Sequence, residues 1–357
     1  MTTLESRGRL NWMIFGAMAA EVLYTGAKMG IADHLGEDAR DHREIARAVG
    51  AAPEALTRLL RAMTALGLLA EPEPGRFALT EDGTLLRSDR PDSMRTFVTL
   101  FGDPAMLAGW RELEHAVRTG DTTFNQVFGT DFFDYLCARP ALSAAFNAAM
   151  QAGTMLTAHQ LPDAYDFTRF HTVADIGGGD GTLLAGILNA HKHLSGILFD
   201  TEAGLAQAET TLTAAGLERR CVLHTGDFFA EAPPGADLYL LKSVIHDWDD
   251  ARCSTILSQI RQVIPGHGRL LVIEPVLPPA VDGSLPPQVY LSDLNMLVNV
   301  GGRERTRREF VDLFASAGFE LLDATSLPHP SGYTLLEGAP APVPGTSHEV
   351  AHDDALG

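Results

Sequence analysis

The chain has 357 residues, enough for one large domain or two ordinary ones with an ample core; 45% are hydrophobic and 20% charged. A formal net charge of −19 argues against a nucleic-acid or anionic-membrane partner, which would need clustered lysine and arginine. Cys137, Cys221 and Cys253 are widely spaced and outside any CxxC pattern, so we expect free thiols in a cytoplasmic protein, not a disulfide framework or zinc site.

The first organised stretch is Trp12 to Ala20. Arg7 and Arg9 precede it, in the outline of a short signal peptide, but Glu5 dilutes the basic start and the helical pattern continues through Val22, Leu23 and Tyr24. Trp12, Phe15, Ala19, Val22 and Leu23 form one stripe, while Met13, Ile14 and Met18 make the other side apolar too. A helix apolar all round is buried, here expected in a subunit interface of a homodimer. No segment reaches the ~20 apolar residues of a membrane span.

Helical patterns follow at Glu44–Val49 and Glu54–Leu69, and "EPEPGRFALTEDG" reads as a hairpin. Helix, helix and wing make a winged-helix arrangement. A DNA reader needs a basic recognition helix. Arg58 and Arg61 are present, but Glu54 and the acidic wing (Glu71, Glu73, Glu81, Asp82) would repel phosphate, which favours a scaffold or dimerisation module over a ligand-sensing regulator. Phe97 to Ala158 reads as further helices, rich in Phe101, Met106, Trp110, Phe124, Phe128, Phe132, Phe146, Met150 and Met155. Such a stripe is core, or the lining of an apolar pocket.

From about Tyr165 the pattern becomes strand, loop, helix, repeated. Thr172–Ile176 runs into a glycine turn (Gly177, Gly178, Gly179, Gly181) and a helix; later strands end at Asp200, Asp227, Lys242 and Glu274. Short apolar strands alternating with helices imply an α/β, Rossmann-like doubly wound parallel sheet, in which ligands bind beyond the carboxyl ends of the strands. Asp175, Asp200, Asp227, Lys242, His246 and Glu274 all fall there. A dinucleotide turn wants G-x-G-x-x-G, but the third position here is Thr182, and Asp175 and Asp180 would repel a pyrophosphate. S-adenosylmethionine carries no phosphate. An acid by the turn suits its ammonium, Asp200 its ribose diol, and Asp227 with Phe228 its adenine.

With these motifs the sequence resembles the class I small-molecule O-methyltransferases of the plant caffeate and bacterial antibiotic-tailoring type. The resemblance runs from the Trp12 helix to about Glu337 and rests on "VADIGGGDGTLL", "GDFF", "LLKSVIHDWDD", "LLVIEPVLP" and "DLNMLVNVGGRERTRREF". It implies an N-terminal helical and winged-helix dimerisation domain (1–100), a helical region lining the substrate pocket (101–164) and a catalytic domain (165–338). It places His246 on the family's general base, flanked by Glu274 and Glu304. Thr154, Asp175, Gly177, Gly179, Asp200, Asp227, Phe228, Lys242 and Trp248 fall on the cofactor side, and Trp110, Phe146, Met150, Met155, Met296 and Asn299 on the side of a small aromatic acceptor.

Thr201-Glu202 stands where the family usually has Leu-Pro, Asn299 where bacterial relatives are often apolar, and Pro275 follows Glu274 in a position to tilt that acid. Asp249 and Asp250 are expected to cap the next helix. No metal is expected, because no His, Cys or carboxylate grouping has metal-ligand spacing around these motifs. The Pro/Gly/Ala-rich residues after Glu337 are expected to be a disordered tail (339–357). Some members of the family bind the cofactor yet catalyse decarboxylation, hydroxylation or cyclisation, so a non-methylating enzyme stays open as the alternative.

Overall fold

A computed structural model describes residues 3–90, 92–329 and 331–342. They form two compact units, one of residues 3–159 and 290–301, the other of residues 160–289 and 302–342.

The first unit opens on a single 26-residue helix, Thr3–Lys28, which passes Ala20 without a break. Among the described residues no helix is long and apolar enough to cross a membrane. The outer half of this helix leaves Trp12, Met13, Ile14, Phe15 and Met18 exposed, while Gly26 and Ala27 at its other end are buried. Helices Ile31–Leu35, His42–Val49 and Pro53–Ala65 enclose a core of Ile31, Leu35, Ile45, Leu56, Leu60, Met63, Leu69 and Phe77. The wing is a three-stranded antiparallel sheet in which Arg76–Leu79 lies between Arg40–Asp41 and Leu69–Glu73. The helix expected to reach Leu69 stops at Ala65. Gly67 takes a left-handed φ of 85°, which a glycine adopts without penalty, and Leu69 is freed to begin the wing.

Between Arg95 and Ala164 all the regular structure is helical, a run of short helices ending in the long helix Pro140–Ala164. Its aromatic residues make a nucleus in which Phe124 lies 4.6 Å from Phe128, 5.3 Å from Phe132 and 5.2 Å from Tyr135, ring centre to ring centre. Most of the stripe is therefore core. Residues 290–301 join this unit. Thr123 Oγ1 donates to Gly109 O at 2.9 Å and to Val298 O at 3.3 Å.

The second unit is built on a seven-stranded sheet: β1 (Thr172–Ile176), β2 (Ser195–Asp200), β3 (Cys221–Thr225), β4 (Leu238–Lys242), β5 (Arg269–Glu274), β6 (Phe319–Ser326) and β7 (Thr334–Pro340). Its order is β6-β7-β5-β4-β1-β2-β3. β1 to β5 are parallel, as their apolar runs imply; β6 and β7 add an antiparallel pair at one edge. β7 continues through Gly338, Ala339 and Pro340, which pair with β6, so the start of the expected tail is strand; residues 343–357 lie outside the described residues. The chain runs outward from β1 through β2 and β3, then returns to β4 on the other side of β1. The gap between β1 and β4 is thus the switch point, where helices leave the sheet in opposite directions and a crevice opens.

Candidate active site

At this switch point the glycine turn follows β1. Gly177, Gly179 and Gly181 have φ of 70°, 58° and 80°, a conformation that side chains strongly disfavour. Gly178 must be glycine for another reason: a Cβ there would meet the Asp175 carboxyl at 2.7 Å. Asp200, at the end of β2, pins the turn by accepting from Gly179 N–H at 2.9 Å, while its other oxygen accepts from Thr201 N–H at 2.7 Å. Asp175 is fully buried and its Oδ2 has no hydrogen-bond partner in the protein. Burial, with Asp200 nearby, pushes its carboxyl up to about 7 against the pull of Lys242. Burial also raises Asp200, opposed by the N–H groups of Gly179 and Thr201. Acids gathered around a glycine turn, one with an unsatisfied oxygen, fit a phosphate-free cation such as S-adenosylmethionine better than a pyrophosphate.

β4 is followed by a turn that packs on the glycine turn: a Cβ on Gly177 would meet Val244 at 2.8 Å. Ser243 has a left-handed φ of 54°, and Val244 after it is right-handed. Alternating hands aim successive N–H groups at one point, making a concave anion site. Glu274, at the end of β5, occupies it. Its Oε1 accepts from the N–H of Val244 (3.0 Å), Ile245 (2.9 Å) and His246 (3.3 Å). These three contacts fix the Glu274 carboxylate, with Pro275 directly after it.

His246, 15% exposed in its side chain, is thereby delivered between two carboxylates. Its Nδ1 lies 3.1 Å from Glu304 Oε1 and 3.4 Å from Glu274 Oε2. An ionised carboxylate only accepts, so Nδ1 carries a proton and Nε2 is the atom left for a reacting group. Nε2 lies 3.7 Å from Asp247 Oδ1. Burial opposes a charge on the imidazole, but Glu274, the hydrogen bond to Glu304, and Asp247 outweigh it and hold His246 well above 6.5. Burial pushes Glu274 up to about 7 and Asp247 up to about 6, and His246 pulls both back.

One atom each of His246, Glu274 and Glu304 lies within 4.8 Å of the others. The resemblance implies this trio around His246, although the residues stand 28 and 30 positions apart and show no metal-ligand spacing along the chain. Folding creates it. Nδ1 hydrogen-bonds Glu304, and the second oxygen of Glu274, whose first is committed to three backbone N–H groups, lies beside it as an ion-pair neighbour.

The other candidates divide between the units. Trp248, nearly buried, lies 6.1 Å from Phe228 and 4.9 Å from Phe229 between ring centres. Lys242 Nζ sits 4.9 Å over the Tyr333 ring, and Asp227 Oδ1 accepts from Phe229 N–H at 2.8 Å. In the first unit, Phe146 and Met150 pack against the aromatic nucleus, Met155 is exposed, and Thr154 Oγ1 donates to Met150 O at 2.8 Å. Asn299 is buried; its Nδ2 donates to Met106 O (3.3 Å) and to Asn295 Oδ1 (2.8 Å), which also accepts from Trp110 Nε1 at 2.9 Å. Asn295 stands in DLNMLVNV one helical turn before Asn299, with nothing in the sequence to mark it as a site residue. Asp249 alone caps the next helix, accepting from Arg252 N–H at 2.8 Å. Asp250 instead pairs with Arg303 and Arg305, each at 2.7 Å.

Comparison with known proteins supplies the relationship. Residues 110–320 match the O-methyltransferase domain and residues 12–89 the O-methyltransferase dimerisation domain. The chain is 44% identical over 334 residues to the O-demethylpuromycin-O-methyltransferase of Streptomyces alboniger, covering 93% of this chain and 89% of that protein. It is 42% identical to the phenazine O-methyltransferase PhzM of Lysobacter antibioticus, covering 92% and 94%. Among solved structures, the O-methyltransferase NcsB1 from neocarzinostatin biosynthesis, in complex with S-adenosylmethionine and 2-hydroxy-5-methyl naphthoic acid, superposes with a TM-score of 0.77 at 33% identity, over 90% of this chain and 95% of that one. These matches run from the first helix into β6, and the chain belongs to the class I S-adenosylmethionine-dependent small-molecule O-methyltransferase family.

Proposed function

We propose that this chain methylates a phenolic hydroxyl of a small aromatic secondary metabolite, with His246 as the general base. The observation that carries the reading is the two-sided imidazole: Nδ1 is engaged by Glu304 and Glu274, which leaves Nε2 for the acceptor. A phenol of pKa near 10 is a weak nucleophile at neutral pH. Removing its proton as attack proceeds contributes about 10²–10⁴-fold. A base held above 6.5 lies closer to the phenol and takes its proton with more driving force, though less of it is free at pH 7. The two carboxylates stabilise the imidazolium formed.

When bound, the donor supplies a methyl group made electrophilic by its sulfonium. We assign Asp175, the turn at Gly177 and Gly179, and Asp200 to its charged and ribose ends. Asp227, Phe228 and Trp248 go to its adenine, with Lys242 and Thr154 as further contacts. Trp110, Phe146, Met150, Met155, Met296 and Asn299 are assigned to the acceptor. The similar proteins are named for O-demethylpuromycin and a phenazine, and the solved neighbour holds a naphthoic acid, which supports an aromatic acceptor. The matched dimerisation domain and the exposed apolar face of the first helix support a homodimer. The test is to incubate the protein with methyl-labelled donor and a panel of phenols, catechols and polyketide aromatics, then locate the label by mass spectrometry and NMR. Label on oxygen, undiminished by a chelator, is expected. Label on nitrogen, or an acceptor decarboxylated or hydroxylated without label, overturns the assignment.

A further inference from the structure

The segment from Gly302 to Arg305 grips the His246 turn at three points. Gly302 lies so close that a Cβ there would overlap the His246 carbonyl oxygen and the backbone of Asp247 and Trp248. Glu304 takes the imidazole. Arg305, fully buried, takes the backbone on either side of it: Nη1 donates to Ile245 O at 2.9 Å and Nη2 to Trp248 O at 2.8 Å. The guanidinium is itself oriented by Asp250 Oδ1, at 2.9 Å from Nε and 2.7 Å from Nη2, and by Arg303 O at 3.3 Å from Nη1. Cys253 Sγ lies 3.1 Å from Ile245 O and 3.4 Å from Trp248 O, so its single S–H adds a weak donation at the same pair of carbonyls.

We propose that Arg305 is the positioning residue of the base: by bridging the carbonyls of Ile245 and Trp248 it holds the His246 turn so that the imidazole stays seated against Glu304. The proposal rests on the reading of His246 as the base. The turn is a three-residue 3₁₀ helix, Ile245–Asp247, too short to hold its own shape. It is fixed from outside, through its N–H groups by Glu274 and through its carbonyls by Arg305 and Cys253. A planar guanidinium can span two carbonyls and a carboxylate at once, whereas an ammonium at the same depth keeps the charge and loses the span. The charged groups facing the imidazole are Glu274 from β5, Glu304 from the gripping segment and Asp247 from its own turn; those facing Arg305 are Asp250 and Glu309, with the neutral Cys253 thiol beside it. If the grip loosens, Nδ1 parts from the carboxylates and the ring's affinity for a proton falls.

The test is Arg305→Lys in the full-length chain. The His246 ring is titrated by NMR with ¹³C-labelled histidine, its signal identified by its loss in His246→Gln, and cofactor-site binding is measured by calorimetry with S-adenosylhomocysteine. The His246 midpoint is expected to fall toward 6.5 by about one unit, a tenfold loss of proton affinity, with cofactor-site affinity kept within about twofold. Asp250→Asn, which frees the guanidinium's exposed anchor, is expected to move the midpoint the same way by less. It decides the matter if the lysine variant does not fold. Unchanged midpoints overturn the proposal. A His246→Gln chain that still methylates the labelled-donor panel at the parent rate overturns the base reading instead, whatever the titrations give.

Discussion

The turn from Ser243 to Trp248 and the outer half of the first helix treat their surroundings in opposite ways. In the turn, the N–H groups of Val244, Ile245 and His246 go to Glu274, and the carbonyls of Ile245 and Trp248 go to Arg305 and Cys253. The helix satisfies its own backbone, yet Trp12, Met13 and Ile14 are 62%, 70% and 69% exposed. Hydrogen bonds are short and directional, so a few atoms from three segments of one chain complete a polar cluster. An apolar face of that length is covered only by another surface. The polar cluster around His246 is thus assembled within one chain, while the helix presents an uncovered apolar face.

The sharpest way to break this contrast is at the turn. His246→Ala is expected to lower turnover about 10²–10⁴-fold with donor affinity kept, because the proposed role is proton removal. Near-normal turnover would remove the base from the turn. On the helix side, Phe15→Glu places an unpaired carboxylate in the expected interface and should convert a dimer to a monomer in light scattering, an effect of several kcal/mol. A parent protein already monomeric at micromolar concentration rejects the interface.

Asp200→Ala probes whether the glycine turn holds the donor as the His246 turn holds the base. Losing its charge-assisted bonds should weaken donor binding by roughly 1.5–3 kcal/mol in calorimetry. Unchanged affinity, or tighter binding of NAD, contradicts the assignment. The smallest effect is on stability. Asp175 and Glu274 are raised to about 7 and Asp247 to about 6, above the ordinary carboxylate range in the unfolded chain. The folded state therefore binds more protons than the unfolded state between about pH 4 and 7, and stability falls as pH rises through that window. His246, held above 6.5, extends the fall in the same direction. Thermal unfolding midpoints should be lower at pH 8 than at pH 5.5, and Asp175→Asn should flatten the slope. A midpoint that rises with pH contradicts the buried-acid picture.

Legibility followed the local pattern. β1 to β5 announced themselves as apolar runs because parallel strands are covered on both faces. β6 did not: FELLDATS mixes in exposed charge, as a half-exposed edge strand does, and the end of its partner β7 falls in the Pro/Gly/Ala-rich stretch expected to be a tail. Arg305 stands in RERTRREF, where neighbouring charges suggest a solvated face, yet it is fully buried. Asp247 and Asn295 carry no sequence signal that separates them from ordinary polar residues.

By itself, the sequence determined which residues end β1, β2, β4 and β5, since a run of apolar side chains must stop where the backbone leaves the sheet, and the glycine turn, since only glycine takes those φ values freely. It also determined that His246 leaves β4 beside an acidic edge. Only the tertiary structure decided what surrounds that histidine. Glu274 and Glu304 reach Nδ1 because β5 lies beside β4 and because Gly302 lets its segment touch the turn. Distances of about 3 Å between residues tens of positions apart are set by packing, and a pattern read along the chain holds no such distances.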